Sequence, residues 1–230
     1  MNKKFEVLNN KNLIKKGSKV ESFLKNTCDS FVDEVRQASI DLGEHPLKYR
    51  EQSLKSYLLP AMNKITKRTL MEVYFNSGDI ESGIKDKRNF ADFYSLDEDM
   101  KNRYITEVKH SWHTFGQKKL RKDTIDKWNK VNEQIERLVE NSDAVKEYID
   151  KNGTIYCVSM IILVTYKVEN PKAKTHLEYE TLKEIILNEI GKAEVEWIYS
   201  WDVGTDLEDK KDEYNYEYPT VTLIGKVCKL

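Results

Sequence analysis

The chain has 230 residues, of which 33% are charged and 39% are hydrophobic, and its formal net charge is -1. This length allows one well-buried domain, and the composition is typical of a globular protein with a modest core. A net charge near zero argues against a protein that coats nucleic acid by charge alone, whereas an enzyme with a local basic patch stays compatible.

The sequence also bounds the compartment. Three cysteines (Cys28, Cys157 and Cys228) are far apart and show no CxxC spacing, so neither a zinc site nor a disulfide framework is indicated. The N-terminus is charged and lacks the apolar core of a signal peptide. The longest apolar run, residues 155–168, is too short to span a bilayer. We therefore expect a reduced, cytoplasmic protein without a membrane segment.

The first part of the chain predicts an arm and two helices. Residues 1–17 are basic and rich in asparagine, which favours a loose or irregular segment. From Ser18 apolar residues recur at helical spacing, and Gly43 is suited to end that helix. A second helix is predicted from Leu47, and Pro60 should end or kink it because proline removes a helical hydrogen bond.

The middle of the chain predicts a mixed central sheet flanked by helices. β-branched and aromatic residues are enriched in three predicted strands, at 69–76, 90–96 and 104–112. Residues 124–148 carry an apolar stripe at helical spacing, and residues 154–168 form the nearly unbroken apolar strand expected when both faces are covered. With the preceding helix, the predicted order is αβββαβ over about residues 47–168.

Residues 169–230 predict a C-terminal αββ extension of the same sheet. Its helix is expected at 179–190 and its strands at 194–201 and 220–227, with an acidic loop at 202–218 that we expect to be solvated. Aromatic side chains alternate onto one face at Trp197, Tyr199 and Trp201, which favours packing over a base-stacking platform. We therefore predict a single α/β domain over residues 1–230, in which residues 1–43 form the arm and the N-terminal helix.

Three charged residues stand out in the predicted hairpin of residues 89–112. Asp92 lies among aromatic and aliphatic residues of its first strand, and Glu107 and Lys109 lie on its second. Because side chains alternate along a strand, Glu107 and Lys109 share one face while Val108 points to the other. The spacing alone is equally compatible with the solvated face of an edge hairpin.

The chemical interpretation is a metal site. Carboxylates from adjacent strands supply the hard oxygen ligands that Mg²⁺ prefers, and a lysine beside them can stabilise a hydroxide and the charge on an attacked phosphate. The arrangement Asp, hairpin, Glu-x-Lys resembles the motif of the PD-(D/E)xK nuclease superfamily, the restriction-endonuclease-like fold, whose common core has the same αβββαβ order. Ala91 rather than proline precedes Asp92, at a position that varies widely in that superfamily.

The resemblance implies a nuclease that uses Mg²⁺, with Mn²⁺ as a substitute. Asp92 and Glu107 would bind the metal, and Lys109 would orient or help to deprotonate the attacking water. The resemblance also implies a metal-binding glutamate on the preceding helix. Glu51 matches it best, although the helix dipole favours an acid at this position in any protein. Glu72, on the first predicted strand, is either a rival ligand or an outward-facing polar residue.

The substrate implied is DNA more than RNA, with DNA endonuclease activity as the main expectation. Beside the proposed site lies the densest basic run, in which four residues could contact phosphates: Lys118, Lys119, Arg121 and Lys122. Cleavage of both strands would favour a symmetric homodimer.

Two other classes stay open. A non-catalytic nucleic-acid-binding or assembly protein on the same fold would bind DNA without cutting it, although the intact Asp, Glu and Lys set argues against a decayed site. A structural α/β protein whose acids lie on the surface would not bind Mn²⁺.

Overall fold

The fold is described by a computed structural model at residues 3–9, 13–43, 45–75, 89–140, 153–167, 179–203 and 217–230. Within these residues the chain forms an open, mixed sheet of seven strands with α-helices packed on both faces. The predicted α/β class with a mixed central sheet is therefore confirmed. The predicted loop at 77–88, residues 141–148 of the third predicted helix and most of the acidic loop at 202–218 lie outside the described residues.

The strands are β1 Lys3–Val7, β2 Arg68–Phe75, β3 Asn89–Leu96, β4 Asn102–Thr114, β5 Thr154–Lys167, β6 Trp197–Asp202 and β7 Glu217–Lys229. The helices are α1 Lys19–Leu42, α2 Glu51–Asn63, α3 Lys122–Glu140 and α4 Tyr179–Glu189. The strands lie in the order β1-β6-β7-β5-β4-β3-β2, in which β4 and β5 are parallel and the other neighbours are antiparallel. From α2 to β5 the elements follow the predicted αβββαβ order, and β6 and β7 extend the sheet as expected.

The prediction of a loose or irregular N-terminal arm is wrong for residues 3–7. Residues 3–7 form strand β1 at one edge of the sheet, where Lys3 lies opposite Trp201 and Val7 lies opposite Trp197 of β6. The segment is short, and the alternation of polar and apolar side chains from Lys4 to Val7, which is typical of a strand, covers only four residues. Its conformation is decided by the backbone hydrogen bonds that β6, near the other end of the chain, offers to it.

Helix α1 begins and ends where the sequence predicts. The Ser18 side chain accepts a hydrogen bond from the backbone N–H of Glu21 at 3.2 Å, which satisfies one of the free donors of the first turn. Gly43 ends the helix with a φ of 67°, in the left-handed conformation that glycine adopts without a steric penalty.

The prediction for the second helix is wrong about its start, and of the two outcomes predicted at Pro60 the end of the helix is wrong. Residues Pro46–Lys48 form only a single 3₁₀ turn, and α2 begins at Glu51 after the extended residue Arg50. Pro60 does not end the helix, which continues to Asn63. Burial of Ala61 and Met62 in the core offsets the hydrogen bond that proline removes.

Strand β5 is covered on both faces, as its apolar sequence predicts. Val158, Met160 and Ile162 join the main core with apolar residues of α1 and α2. Ile161 and Leu163 join a second cluster with residues of α3 and α4 on the opposite face. This double burial makes β5 the centre of the hydrophobic core and gives the neighbouring β4 a rigid support.

The three aromatic residues of β6 are packing residues. Trp197, Tyr199 and Trp201 are fully buried in the main core, and the Tyr199 hydroxyl donates a hydrogen bond to Asp29 Oδ1 of α1 at 2.8 Å. The preference for packing over a base-stacking platform is confirmed. None of the helices in the described parts of the chain combines the length and the apolar character needed to cross a bilayer.

Gly225 provides a test of the packing between β5, β6 and β7. A Cβ at Gly225 would overlap the backbone carbonyl of Ser159 and the indole ring of Trp197, both of which are held by the sheet. We expect Gly225→Ala to lower the free energy of unfolding by about 1–3 kcal/mol, because overpacking displaces these groups. Urea denaturation measures this change. The neighbouring Lys226→Ala is the control and should cost less than about 1 kcal/mol. Equal stability of the two variants would contradict the packing described.

Candidate metal centre

The charged residues selected from the sequence meet where strands β3 and β4 separate. The two strands pair from Leu96 opposite Arg103 to Phe93 opposite Thr106, and Asp92 and Glu107 are the next residues along them. Beyond this point the Asp92 side chain replaces the β3 backbone as the hydrogen-bond acceptor for β4. Its Oδ2 accepts a hydrogen bond from the backbone N–H of Val108 at 2.8 Å.

Glu51, on helix α2, bonds to the same edge of β4, along which β3 no longer pairs. Its Oε2 accepts a hydrogen bond from the backbone N–H of His110 at 3.1 Å. The amides of Val108 and His110 are two residues apart on one strand, so both point to the side that β3 has left. Two carboxylates therefore satisfy the backbone groups that a neighbouring strand would otherwise pair.

Lys109 lies at the centre of the three predicted acids. Its Nζ is 4.0 Å from Glu51 Oε1, 4.0 Å from Asp92 Oδ2 and 3.7 Å from Glu107 Oε2. The predicted alternation is also observed, since Val108 packs in the main core while Glu107 and Lys109 form an ion pair. Three carboxylates from α2, β3 and β4 thus surround one ammonium group.

Lys55 belongs to the same group and was not selected from the sequence. Its Nζ donates hydrogen bonds to Glu51 Oε1 at 2.9 Å and to Asp92 Oδ1 at 2.8 Å. Burial by itself lowers the pKa of this amine, but the bonds and charges of Asp92 and Glu51 outweigh it and raise the pKa above its ordinary value. The only sequence signal is a Glu51–Lys55 pair at helical i,i+4 spacing, which is common on exposed helices.

Glu107 forms the floor of the site. The residue is 1% exposed, and neither carboxylate oxygen accepts a hydrogen bond from the described residues. Burial, together with the charge of Asp92, raises the pKa of Glu107 to about 8, although Lys109 opposes this shift. A buried carboxylate without hydrogen-bond donors is expensive to ionise, and the ion pair with Lys109 at 3.7 Å offsets only part of that cost.

The charges of the group balance only while Glu107 keeps its proton. Glu51, Asp92 and Glu107 supply three acids, and Lys55 and Lys109 supply two ammonium groups. When Glu107 is ionised one negative charge is in excess, which a further cation would neutralise, and carboxylate oxygens are the ligands that Mg²⁺ prefers. These residues therefore fit a hard divalent cation.

The two lysines shape the present geometry of the group. Within the described residues, no three His, Cys, Asp or Glu side chains approach one another as the ligands of a single metal ion do. The ammonium group of Lys55 instead lies between the carboxylates of Glu51 and Asp92.

Glu72 lies beside the group but does not share the contacts of Lys109. It is exposed, and it lies opposite Asp92, because its neighbours in β2 pair with the residues on either side of Asp92 in β3. Its φ is 52°, a conformation that is strained by about 1–3 kcal/mol for a residue other than glycine. Side chains two residues apart on a regular strand share a face. Met71 packs against the main core, whereas Val73 packs in the cluster that includes α3, so the alternation is interrupted at Glu72. Glu72 thus marks a distortion of the strand next to Asp92.

Two histidines of β4, His110 and His113, have lowered pKa values. Burial and, to a smaller extent, the charge of Lys127 lower the pKa of His110 to about 4. Burial also lowers the pKa of His113. Both side chains are buried, and the His110 ring lies edge-on to Trp112 with 4.6 Å between ring centroids. His110 is therefore neutral in the folded protein at pH 7.

The predicted basic residues lie apart from this centre. Lys118, Lys119 and Arg121 are exposed in the connection between β4 and α3, and Lys122 is the exposed first residue of α3. Leu120 is buried among them and anchors the segment. The segment follows Thr114, the end of β4, which is about 16 Å along the strand from Lys109.

Comparisons with known proteins give no match to a family model, to a curated protein or to a solved structure. The class of the protein is therefore defined by its own fold and side-chain arrangement. It is an α/β protein with a mixed sheet, and a cluster of carboxylates and lysines lies where two of its strands separate.

The raised pKa of Glu107 predicts a pH dependence of stability. Below its ordinary pKa of 4.5 the acid is protonated in both states, and the stability it contributes is lost as the pH rises through the folded-state value of about 8. We expect metal-free wild-type protein to lose stability over this interval. Glu107→Gln should lose less and be more stable than wild type at about pH 9. Urea denaturation in EDTA across this range measures both.

The exposed Glu98→Gln is the matched control and should follow the wild-type curve. Parallel curves for wild type and Glu107→Gln would show that burial does not raise the pKa of Glu107.

Proposed function

We propose that this protein is a Mg²⁺-dependent nuclease that hydrolyses phosphodiester bonds in DNA, and that its fold is restriction-endonuclease-like. The observation that carries the proposal is the position of Lys109, within 4.0 Å of carboxylates from α2, β3 and β4 where β3 and β4 part. The αβββαβ order, with β4 parallel to β5, supports the fold assignment.

In this proposal Asp92, Glu107 and Glu51 hold the metal ion. Bound Mg²⁺ supplies a Lewis acid that neutralises charge on the phosphate and makes water more acidic. Glu107, at 1% exposure, forms the closed side of the site, and Glu51, with a side chain 31% exposed, lies on the open side where substrate enters. The amides of Val108 and His110 hold Asp92 and Glu51 in place, so the acids are oriented before any ligand binds.

Lys109 has the catalytic role. Its ammonium group lies among the acids on a central strand, where it can hydrogen-bond the attacking water and stabilise the negative charge that develops on the phosphate. Its side chain is 12% exposed, so these charges act in surroundings from which most water is excluded. The exposed basic segment at 118–122 would contact phosphates farther along the DNA.

A non-catalytic DNA-binding protein on the same fold is the second candidate. The observation that favours it is that Lys55 and Lys109 together already neutralise two of the three acids. Such a protein would bind DNA through the same basic segment and show no cleavage. We also propose that the nuclease is cytoplasmic and that it acts as a homodimer if it cuts both strands.

The first test is cleavage by the Lys109→Ala variant. Loss of the amine should reduce cleavage at least about 100-fold, because the water and the phosphate lose their charged partner. The assay uses linear, circular, single-stranded and branched DNA, and RNA, with and without Mg²⁺. DNA binding and the circular dichroism spectrum should stay close to wild type.

Lys130→Ala, an exposed lysine of α3, is the control and should cleave like wild type. Wild-type rates for Lys109→Ala would remove Lys109 from the mechanism. Binding without cleavage by wild type on every substrate would favour the non-catalytic candidate.

The second test concerns the basic segment. Replacing Lys118 and Lys119 together by alanine should weaken DNA binding for all sequences and lower the salt dependence by about 0.9 per lost phosphate contact. Fluorescence anisotropy at several salt concentrations measures both effects. The matched control replaces two exposed lysines elsewhere, Lys25 and Lys130. An equal loss in both double variants would show that the basic segment is no special contact surface.

A further inference from the structure

We infer that Lys55 is a built-in counter-ion of the candidate metal centre, and that a divalent cation binds there by displacing its ammonium group from Glu51 and Asp92. This inference rests on the proposed function, because it assumes that these acids take a metal ion. It adds Lys55, which lies outside the Glu-x-Lys motif, and a competition between its ammonium group and the metal ion for the same carboxylates.

The contacts of Lys55 are those of an ion held in place. Its Nζ bonds Glu51 Oε1 at 2.9 Å and Asp92 Oδ1 at 2.8 Å, and its side chain is 8% exposed. These are charge-assisted hydrogen bonds, which are stronger than neutral ones. The second oxygen of each carboxylate is bonded to a β4 amide, so Lys55 occupies the two oxygens that face away from the strand.

A metal ion would need those same oxygens. Mg²⁺ binds carboxylate oxygens at about 2.0–2.1 Å, which is closer than an ammonium group approaches. Two cations on the same pair of oxygens would repel each other at short distance in a site with little water. Metal binding by Glu51 and Asp92 therefore requires that the Lys55 amine moves away.

Lys109 does not compete with a metal ion for these oxygens in the same way. Its Nζ lies 3.7–4.0 Å from the acidic oxygens, beyond hydrogen-bond distance, and its own bond is to the Val108 carbonyl at 3.3 Å. Lys109 can therefore stay beside the acids when a cation enters. The two lysines have different roles: Lys55 balances the acids without metal, and Lys109 accompanies them in the reaction.

Lys55 also contributes to the stability of the metal-free protein. Without it, Asp92 would lose its ammonium partner at 2.8 Å, and Glu51 would lose the partner on its own helix. Breaking a largely buried pair by removing one member leaves an uncompensated charge, which destabilises the fold. A bound divalent cation would restore this balance, so removal of Lys55 should increase the dependence of folding on metal.

The experiment compares Mn²⁺ binding by metal-stripped wild type, Lys55→Met and Lys55→Arg, measured by calorimetry at one pH. Methionine keeps the apolar stem without the charge, and arginine keeps the charge. We expect Lys55→Met to bind Mn²⁺ about 10-fold more tightly than wild type, since the competing ammonium is gone. Lys55→Arg should stay near wild type. Lys64→Met, at the other end of α2, is the matched control and should not change the affinity.

Thermal unfolding gives a readout that is independent of activity. Without metal, Lys55→Met should melt below wild type, and saturating Mn²⁺ should raise its Tm by more than it raises that of wild type. A variant that folds only with Mn²⁺ would support the inference as well. Asp92→Asn should abolish the Mn²⁺ signal and so assign the binding to this site.

The outcomes separate the two proposals. If wild type binds Mn²⁺ through Asp92 but Lys55→Met binds no more tightly, the inference about Lys55 is overturned and the metal site stands. If neither wild type nor Lys55→Met binds Mn²⁺, the proposed function fails, and the inference fails with it.

Discussion

The site depends on the backbone requirements of strand β4. Its β5 side is paired over its whole length, from Asn102 opposite Thr154 to Thr114 opposite Tyr166, whereas its β3 side is paired only as far as Thr106. Buried amides need partners, and beyond Thr106 those partners are the carboxylates of Asp92 and Glu51. The same hydrogen bonds that complete the sheet therefore hold two acids in fixed positions, and Glu107 and Lys109 project beside them from the strand itself.

This arrangement costs stability, which argues for a purpose beyond structure. Three acids meet in a region where Glu107 has no hydrogen-bond donor among the described residues, and burial raises its pKa to about 8. Strain at Glu72 adds to the cost on the adjoining strand. A strongly perturbed acid beside a distorted strand is typical of a functional site. The well-packed core around β5 supplies the stability that offsets these costs.

The two lysines of the site differ in how closely they contact the acids. Lys55 comes from a helix and makes short bonds to the acids, whereas Lys109 comes from the central strand and lies farther from them. An amine on a flexible stem can leave its partners without disturbing the backbone. Under the proposal above, Lys55 is the counter-ion that a metal ion replaces, and Lys109, which makes no hydrogen bond to the acids, is the one that stays.

The order of the elements, the double burial of β5 and the shared face of Glu107 and Lys109 follow from the sequence, because each rests on local periodicity. The group around Lys109 was predicted only through a resemblance, since spacing alone could equally describe a solvated hairpin. Tertiary structure decided what periodicity cannot express. It made a strand of Lys3–Val7 through pairing with β6, carried α2 past Pro60 by burial, and placed Cys157 opposite Cys228. It also brought Lys55 between Glu51 and Asp92, because contacts between residues distant in sequence depend on how helices pack against the sheet.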